Sequence, residues 1–218
     1  MPGVSYNRVA GESVERLAAL SDGIFAVAMT LLVLDLRAPA KEAITGGDHR
    51  GDHGELGLWM ALGAMAPQAI AYLMSFLTLG IFWLGQQTQL SRFARGSQRL
   101  AWTHIAFLFA VTLMPFSTRL LAEFIEFRAA LLCYWGNILL LGSALFASWR
   151  CARASGLLKE DTTAEASKAI ERRILIAQAL YAFGALLCIV NTYWSIVFIV
   201  LVQLNYAVAP RFRSKKAG

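Results

Sequence analysis

Charge is what this chain has least of. Of its 218 residues only 16% are charged, whereas 57% are hydrophobic and the mean hydropathy is +0.54; soluble domains carry about 25% charged residues. The scarcity is concentrated in blocks: Leu56–Ser91 has no charged residue over 36 positions, and Ile174–Pro210 has none over 37. Blocks of that length exclude an ordinary soluble domain and imply a polytopic membrane protein. Cysteine is equally sparse. Cys133, Cys151 and Cys188 stand far apart with no CxxC spacing, so neither a disulfide framework nor a zinc site is expected, and the three read as small packing residues. HExxH, G-x-S-x-G and a phosphate-binding glycine loop are all missing, so nothing suits hydrolysis or group transfer and no enzyme is expected. No internal repeat is visible, which counts against an inverted-repeat transporter. The net charge of +6 does not point to nucleic acid. The basic residues collect between apolar blocks and at Arg211, Arg213, Lys215 and Lys216, as topology signals do, and no basic–aromatic face accompanies them.

Along the chain, residues 1–12 read as a short polar arm, residues 13–210 as one membrane domain, and residues 211–218 as a basic tail. Ser13 is a candidate N-cap, with Glu15 in the first turn to favour the helix dipole. The helix it starts reaches Leu36, about 36 Å at 1.5 Å per residue, enough for a hydrocarbon core of about 30 Å. Ala38-Pro39-Ala40 imitates a signal-peptide cleavage site, but the long polar lead, Asp22, Asp35 and Arg37 argue for a retained span. The loop that follows holds Asp48-His49 and Asp52-His53, a spacing open to metal binding if helical; its glycines favour a flexible hydrophilic loop.

Leu56–Ser91 reads as one long helix bent at Pro67, Leu100–Thr118 as a third span with His104 inside it, and Ala129–Trp149 as a fourth. Ile174–Pro210 is too long for one span. Asn191-Thr192-Tyr193 is its only polar cluster, so two helices joined by a tight turn are expected there, the first extended inward from Thr163. The fold class is therefore an all-α integral membrane protein with six transmembrane helices. With both termini cytoplasmic, fifteen Lys and Arg fall inside and five outside, the bias the positive-inside rule requires. All six tryptophans lie toward expected span ends, as an interfacial belt would place them.

The first span is chemically unlike the rest. Arg16, Ser21 and Asp22 sit in or beside a membrane-length apolar run, where a charge at the helix centre costs about 2.5–3.5 kcal/mol on insertion scales and so faces a partner or a wet cavity. Arg16 and Asp22 point about 120° apart on a helix, too divergent to pair, so each is expected to meet another helix or another subunit. Val27, Thr30, Leu31 and Leu34 then fall at i, i+3, i+4 and i+7 on one face. By spacing alone that row fits lipid- or core-facing packing as well as a functional surface. Asn137 and Gln178 are expected to act as interhelical hydrogen-bonding glue, and His104 as a hydrogen-bonded packing residue.

The run from Arg16 through Leu20-Ser21-Asp22, then Gly23-Ile24-Phe25-Ala26 and Thr30-Leu31-Leu32-Val33-Leu34, resembles the signature of the transmembrane protein 175 family. Those are potassium-permeable channels of bacteria, archaea and lysosomes without a TVGYG filter, and this chain has no TVGYG either. Trp102 and Leu113–Leu121 resemble the family's third helix. Two departures stand out: Leu20 replaces the usual phenylalanine, and Gln86-Gln87 stand where histidines would be expected. The resemblance implies a homotetramer in the plasma membrane with a pore lined by the first helix. It implies a constriction of Val27, Leu31 and Leu34, a hydroxyl ring of Thr30, and Arg16, Ser21 and Asp22 as the network that holds the helix. Potassium is then the permeant ion, with no cofactor. The alternative function is a proton-coupled or small-solute secondary transporter in which Asp22 and His104 titrate.

Overall fold

The computed structural model describes residues 13–40 and 54–213, with side chains through Val208. The 1–12 arm, the Asp48–His53 pairs and residues 214–218 of the tail lie outside the described residues. The described chain is helical: α1 (Val14–Val33), α2 (Gly54–Ala64), α3 (Ala66–Leu90), α4 (Gln98–Thr112), α5 (Met114–Glu123), α6 (Arg128–Ala154), α7 (Ala164–Leu186) and α8 (Thr192–Arg213). A 3-10 turn, Leu187–Ile189, precedes α8. Five segments are long and apolar enough to cross a membrane: α1, α3, α4 with α5, α6, and α7 with its 3-10 turn; Thr192–Val208 is a shorter apolar helix.

The expected start and stop signals are in place. The Ser13 hydroxyl accepts from the Arg16 N–H at 3.2 Å, and the Thr163 hydroxyl accepts from the Ala166 N–H at 3.1 Å. Asn191 Oδ1 accepts from the Tyr193 N–H at 2.7 Å, which closes the tight turn before α8. The bend expected at Pro67 falls at Met65, and α3 starts with Pro67 in its first turn, where a missing N–H costs nothing.

The third span breaks in the same way at Leu113, before Pro115, and continues to Glu123 rather than ending at Thr118. That break would leave Met114 N–H and Ala110 C=O without their helical partners. Asn137 of α6 replaces them: with its amide turned as the hydrogen-bond network requires, its oxygen accepts from Met114 N at 3.2 Å and its nitrogen donates to Ala110 O at 3.0 Å. The glue role expected of Asn137 thus has a specific address, the kink in the neighbouring span.

Helix α6 is the hub, packed on α4, α5 and α7, while α8 closes against α3 and α7. Between these helices runs a buried hydroxyl chain that no pattern in the sequence announces. Gln203 donates to Thr78 (2.7 Å), Thr78 meets Tyr134 (3.2 Å), and Thr118 donates to Ser75 (2.6 Å). A second, smaller core of Leu90, Phe93, Leu100, Trp149, Ala152 and Leu157 ties the α3–α4 and α6–α7 connections together. Two backbone bonds clasp it, Ala94 N–H to Leu157 O (2.8 Å) and Lys159 N–H to Arg92 O (2.9 Å). This core takes Trp149 away from the expected interfacial belt; Trp83, bonded to Asp22, and Trp135 are half-buried, whereas Trp59, Trp102 and Trp194 remain exposed.

Gly142 of α6 is a close-approach glycine. A Cβ there would lie 1.7 Å from Gln178 Nε2 and 2.9 Å from its Cγ, so the whole Gln178 side chain must swing off and lose its 3.4 Å bond to Ile138 O. G142A should lower stability by about 1 kcal/mol, held down by the mobility of that side chain. G142A/Q178A should recover most of it, as read by thermal unfolding in detergent.

Candidate functional site

Helix α1 divides into two faces. Leu17, Ser21, Phe25, Ala28 and Leu32 are buried against α3 and α4. Their spacing of three and four residues is the inward stripe of a 3.6-residue helix. The opposite face carries the aliphatic row, and nothing among the described residues covers it: Val27 is 57% exposed, Leu31 44% and Leu34 68%, with Thr30 exposed between them. A shallow apolar groove of about 430 Å³ runs along this face from Leu20 to Leu31, bounded by Thr112 and Pro115 at the kink of the third span.

The polar residues of α1 anchor the two faces in azimuth. Ser21 is fully buried; its hydroxyl donates to Leu17 O at 2.7 Å and lies 2.7 Å from His104 Nε2. Gln86 Nε2 stands 2.8 Å from both the Ser21 oxygen and His104 Nε2. The Ser21 oxygen, Gln86 Nε2 and His104 Nε2 thus close a polar triangle that joins α1, α3 and α4. About 100° further round the helix, Asp22 Oδ1 accepts from Trp83 Nε1 and from Gln87 Nε2, each at 2.8 Å. Trp83 and Gln87 are four apart on α3, so one helix face presents both donors to a single carboxylate oxygen. Hydrogen bonds to an ionised group are the strong kind, worth about 1.5–3 kcal/mol.

The structure therefore brings Ser21 onto α3 and α4 and Asp22 onto α3; of the two charged residues that cannot pair within the helix, Asp22 meets another helix. The fold does not bring Arg16 into either cluster: that side chain is exposed and takes part in none of the ion pairs among the described residues. Sequence reasoning misses Trp83 and the donor roles of Gln86 and Gln87, and finds only that glutamines replace expected histidines. The usable signal is the Trp83–Gln87 spacing inside an otherwise apolar block.

Thr30 has a further property. Its Oγ1 proton lies between Ala26 O (3.0 Å) and Val27 O (2.8 Å) of its own helix, so the oxygen's lone pairs face outward on the uncovered side.

The sequence profile of the endosomal/lysosomal potassium channel TMEM175 matches residues 16–115, the stretch that carries both anchoring clusters. A potassium channel of Streptomyces collinus is 30% identical over 196 residues, which is 88% of this chain and 90% of the relative. The chain belongs to the TMEM175 family. A potassium channel of Chamaesiphon minutus is 27% identical over 197 residues, covering 88% of this chain and 93% of that one. The crystal structure of a lysosomal potassium-selective channel TMEM175 homologue from Chamaesiphon minutus superimposes with a TM-score of 0.76 at 26% identity, over 90% of this chain and 97% of that chain. The TMEM175 likeness thus extends well beyond the first span.

Proposed function

We propose that this chain is a potassium-permeable cation channel of a cell membrane, with six spans and both termini cytoplasmic, working as a homotetramer around an axis lined by α1. The observation that carries this reading is the uncovered aliphatic face of α1, held at a fixed azimuth by two hydrogen-bonded clusters on its reverse side. The apolar groove along the same face supports it, since neighbouring copies would cover surface that a single chain leaves open.

In such a tetramer Val27, Leu31 and Leu34 form stacked apolar rings, and a ring of that kind gates by expelling water from its own diameter. Thr30 adds four hydroxyl oxygens beside the Val27 ring, lone pairs toward the axis, which replace part of a cation's hydration shell and favour the less tightly hydrated potassium over sodium. Arg16, exposed at the first turn, would take its partner from a neighbouring subunit. The secondary-transporter alternative draws less support. Among the described residues Asp22 and His104 belong to separate hydrogen-bonded clusters, with no side-chain hydrogen bond between the two.

The test is potassium flux in liposomes containing the pure protein. Saturable, strongly pH-dependent uptake without unitary currents would favour the transporter. T30A should conduct but with its potassium-to-sodium permeability ratio lowered roughly two- to threefold; an unchanged ratio removes Thr30 from the pore.

A further inference from the structure

The geometry points to a binding site for an anionic phospholipid in the groove between α7 and α8, with the phosphate at Lys168, Arg172 and Arg173. This rests on α7 and α8 spanning the membrane and not on ion conduction. Lys168 and Arg172 are four apart on α7 and so share a face. The Arg173 guanidinium is steadied over the Tyr206 ring, 5.9 Å from its centroid.

These cations end a concave groove of about 1150 Å³ whose remaining floor is apolar, including Ile176, Leu180, Phe198 and Leu201. A single acid, Glu165, lines it at the outer end. Lys168, Arg172 and Arg173 take part in none of the ion pairs among the described residues. From Arg173 a second, narrower cavity of about 230 Å³ opens at Ala169 and Tyr206 and runs between α3, α6 and α7 toward Tyr181.

The occupant follows from charge and depth. Arg173 and Leu180 are seven residues apart, about 10 Å along the helix, which matches the descent from lipid phosphate into acyl chain. A soluble phosphate ion would leave that apolar floor unfilled. Positive-inside topology alone requires cations on one side but no concavity beneath them. An anionic lipid satisfies both halves of the groove at once, as basic pockets between spans do for acidic headgroups.

Native mass spectrometry of the full-length protein, equilibrated with equal amounts of dioleoyl phosphatidylglycerol and dioleoyl phosphatidylcholine, tests this. The wild type should retain the glycerol lipid over the choline lipid by about tenfold, and R172Q/R173Q should weaken its retention roughly thirtyfold. R95Q/R99Q removes the same charge from exposed positions outside the groove and should change nothing. A169W, or A169L if the larger residue prevents folding, keeps every charge but plugs the junction of groove and cavity; retention should fall.

Equal losses in R172Q/R173Q and R95Q/R99Q would overturn the proposal in favour of diffuse surface charge. Wild-type retention in the Ala169 variants would also overturn it, because the apolar half would then be idle. The readout needs no ion flux, so a wild type that binds the lipid but passes no potassium counts against the channel reading alone.

Discussion

Replacing Leu31 with serine should raise the basal potassium flux of reconstituted protein about tenfold, equivalent to lowering the permeation barrier by about 1.4 kcal/mol. The physical reason is dewetting. An apolar ring narrow enough to exclude water charges each ion its dehydration, and four hydroxyls in place of four leucine side chains keep the constriction wet. Leu31 is the choice because it is exposed on the uncovered face, so its loss collapses no core within its own chain. The control is L140S on α6, a leucine of similar exposure (43% against 44%), which should leave flux unchanged. If the two variants behave alike in the liposome assay, the aliphatic face of α1 does not line the pore.

The second large effect is expected at His104. H104L is close in volume but removes the ring nitrogen that stands 2.7 Å from Ser21 Oγ and 2.8 Å from Gln86 Nε2, leaving buried polar groups short of a partner. Buried polar groups stranded in this way cost about 1–3 kcal/mol. Interhelical bonds in membranes average about 0.6 kcal/mol and reach about 1.7, so a loss of about 1–2 kcal/mol is expected here. The double variant H104L/Q86L removes both the Gln86 Nε2 left short of a partner and a Gln86 Oε1 that already lacks one. It should therefore be more stable than H104L, a recovery that simple cavity creation would not give. Thermal unfolding midpoints of the four proteins in the cycle measure this directly. Conduction should respond as well, because the Ser21–Gln86–His104 cluster fixes the rotation of α1. H104L is expected to alter the flux of correctly assembled protein even though it lies on the far side of the helix from the aliphatic row.

The tryptophans show where sequence order misleads. All six stand toward the ends of apolar blocks, which suggests an interfacial belt, yet Trp83 donates to Asp22 and Trp149 stacks near Phe93 with ring centroids 6.0 Å apart. Position along a helix gives depth in the membrane; it says nothing about which side of the helix the ring occupies. Asp22 shows the opposite case. Its divergence from Arg16 follows from helix geometry alone, so the need for a partner on another helix is legible in the order of residues.

What the sequence by itself determined is whatever depends on neighbours in the chain. The uncharged blocks defined the apolar segments. Pro67 and Asn191 marked two of the breaks to within a few residues, whereas the break before Pro115 was not expected, and the period of the α1 run put Val27, Thr30, Leu31 and Leu34 on a single face. The signature around Ser21-Asp22 pointed to the family.

Only the tertiary structure decided which residues meet across helices, because that depends on each helix's azimuth and crossing, which no local pattern encodes in a chain apolar on nearly every side. Asp22 meets Trp83 across 61 positions, Ser21 meets His104 across 83, and Gln203 meets Thr78 across 125. The same packing leaves the aliphatic row uncovered, which periodicity could not distinguish from burial.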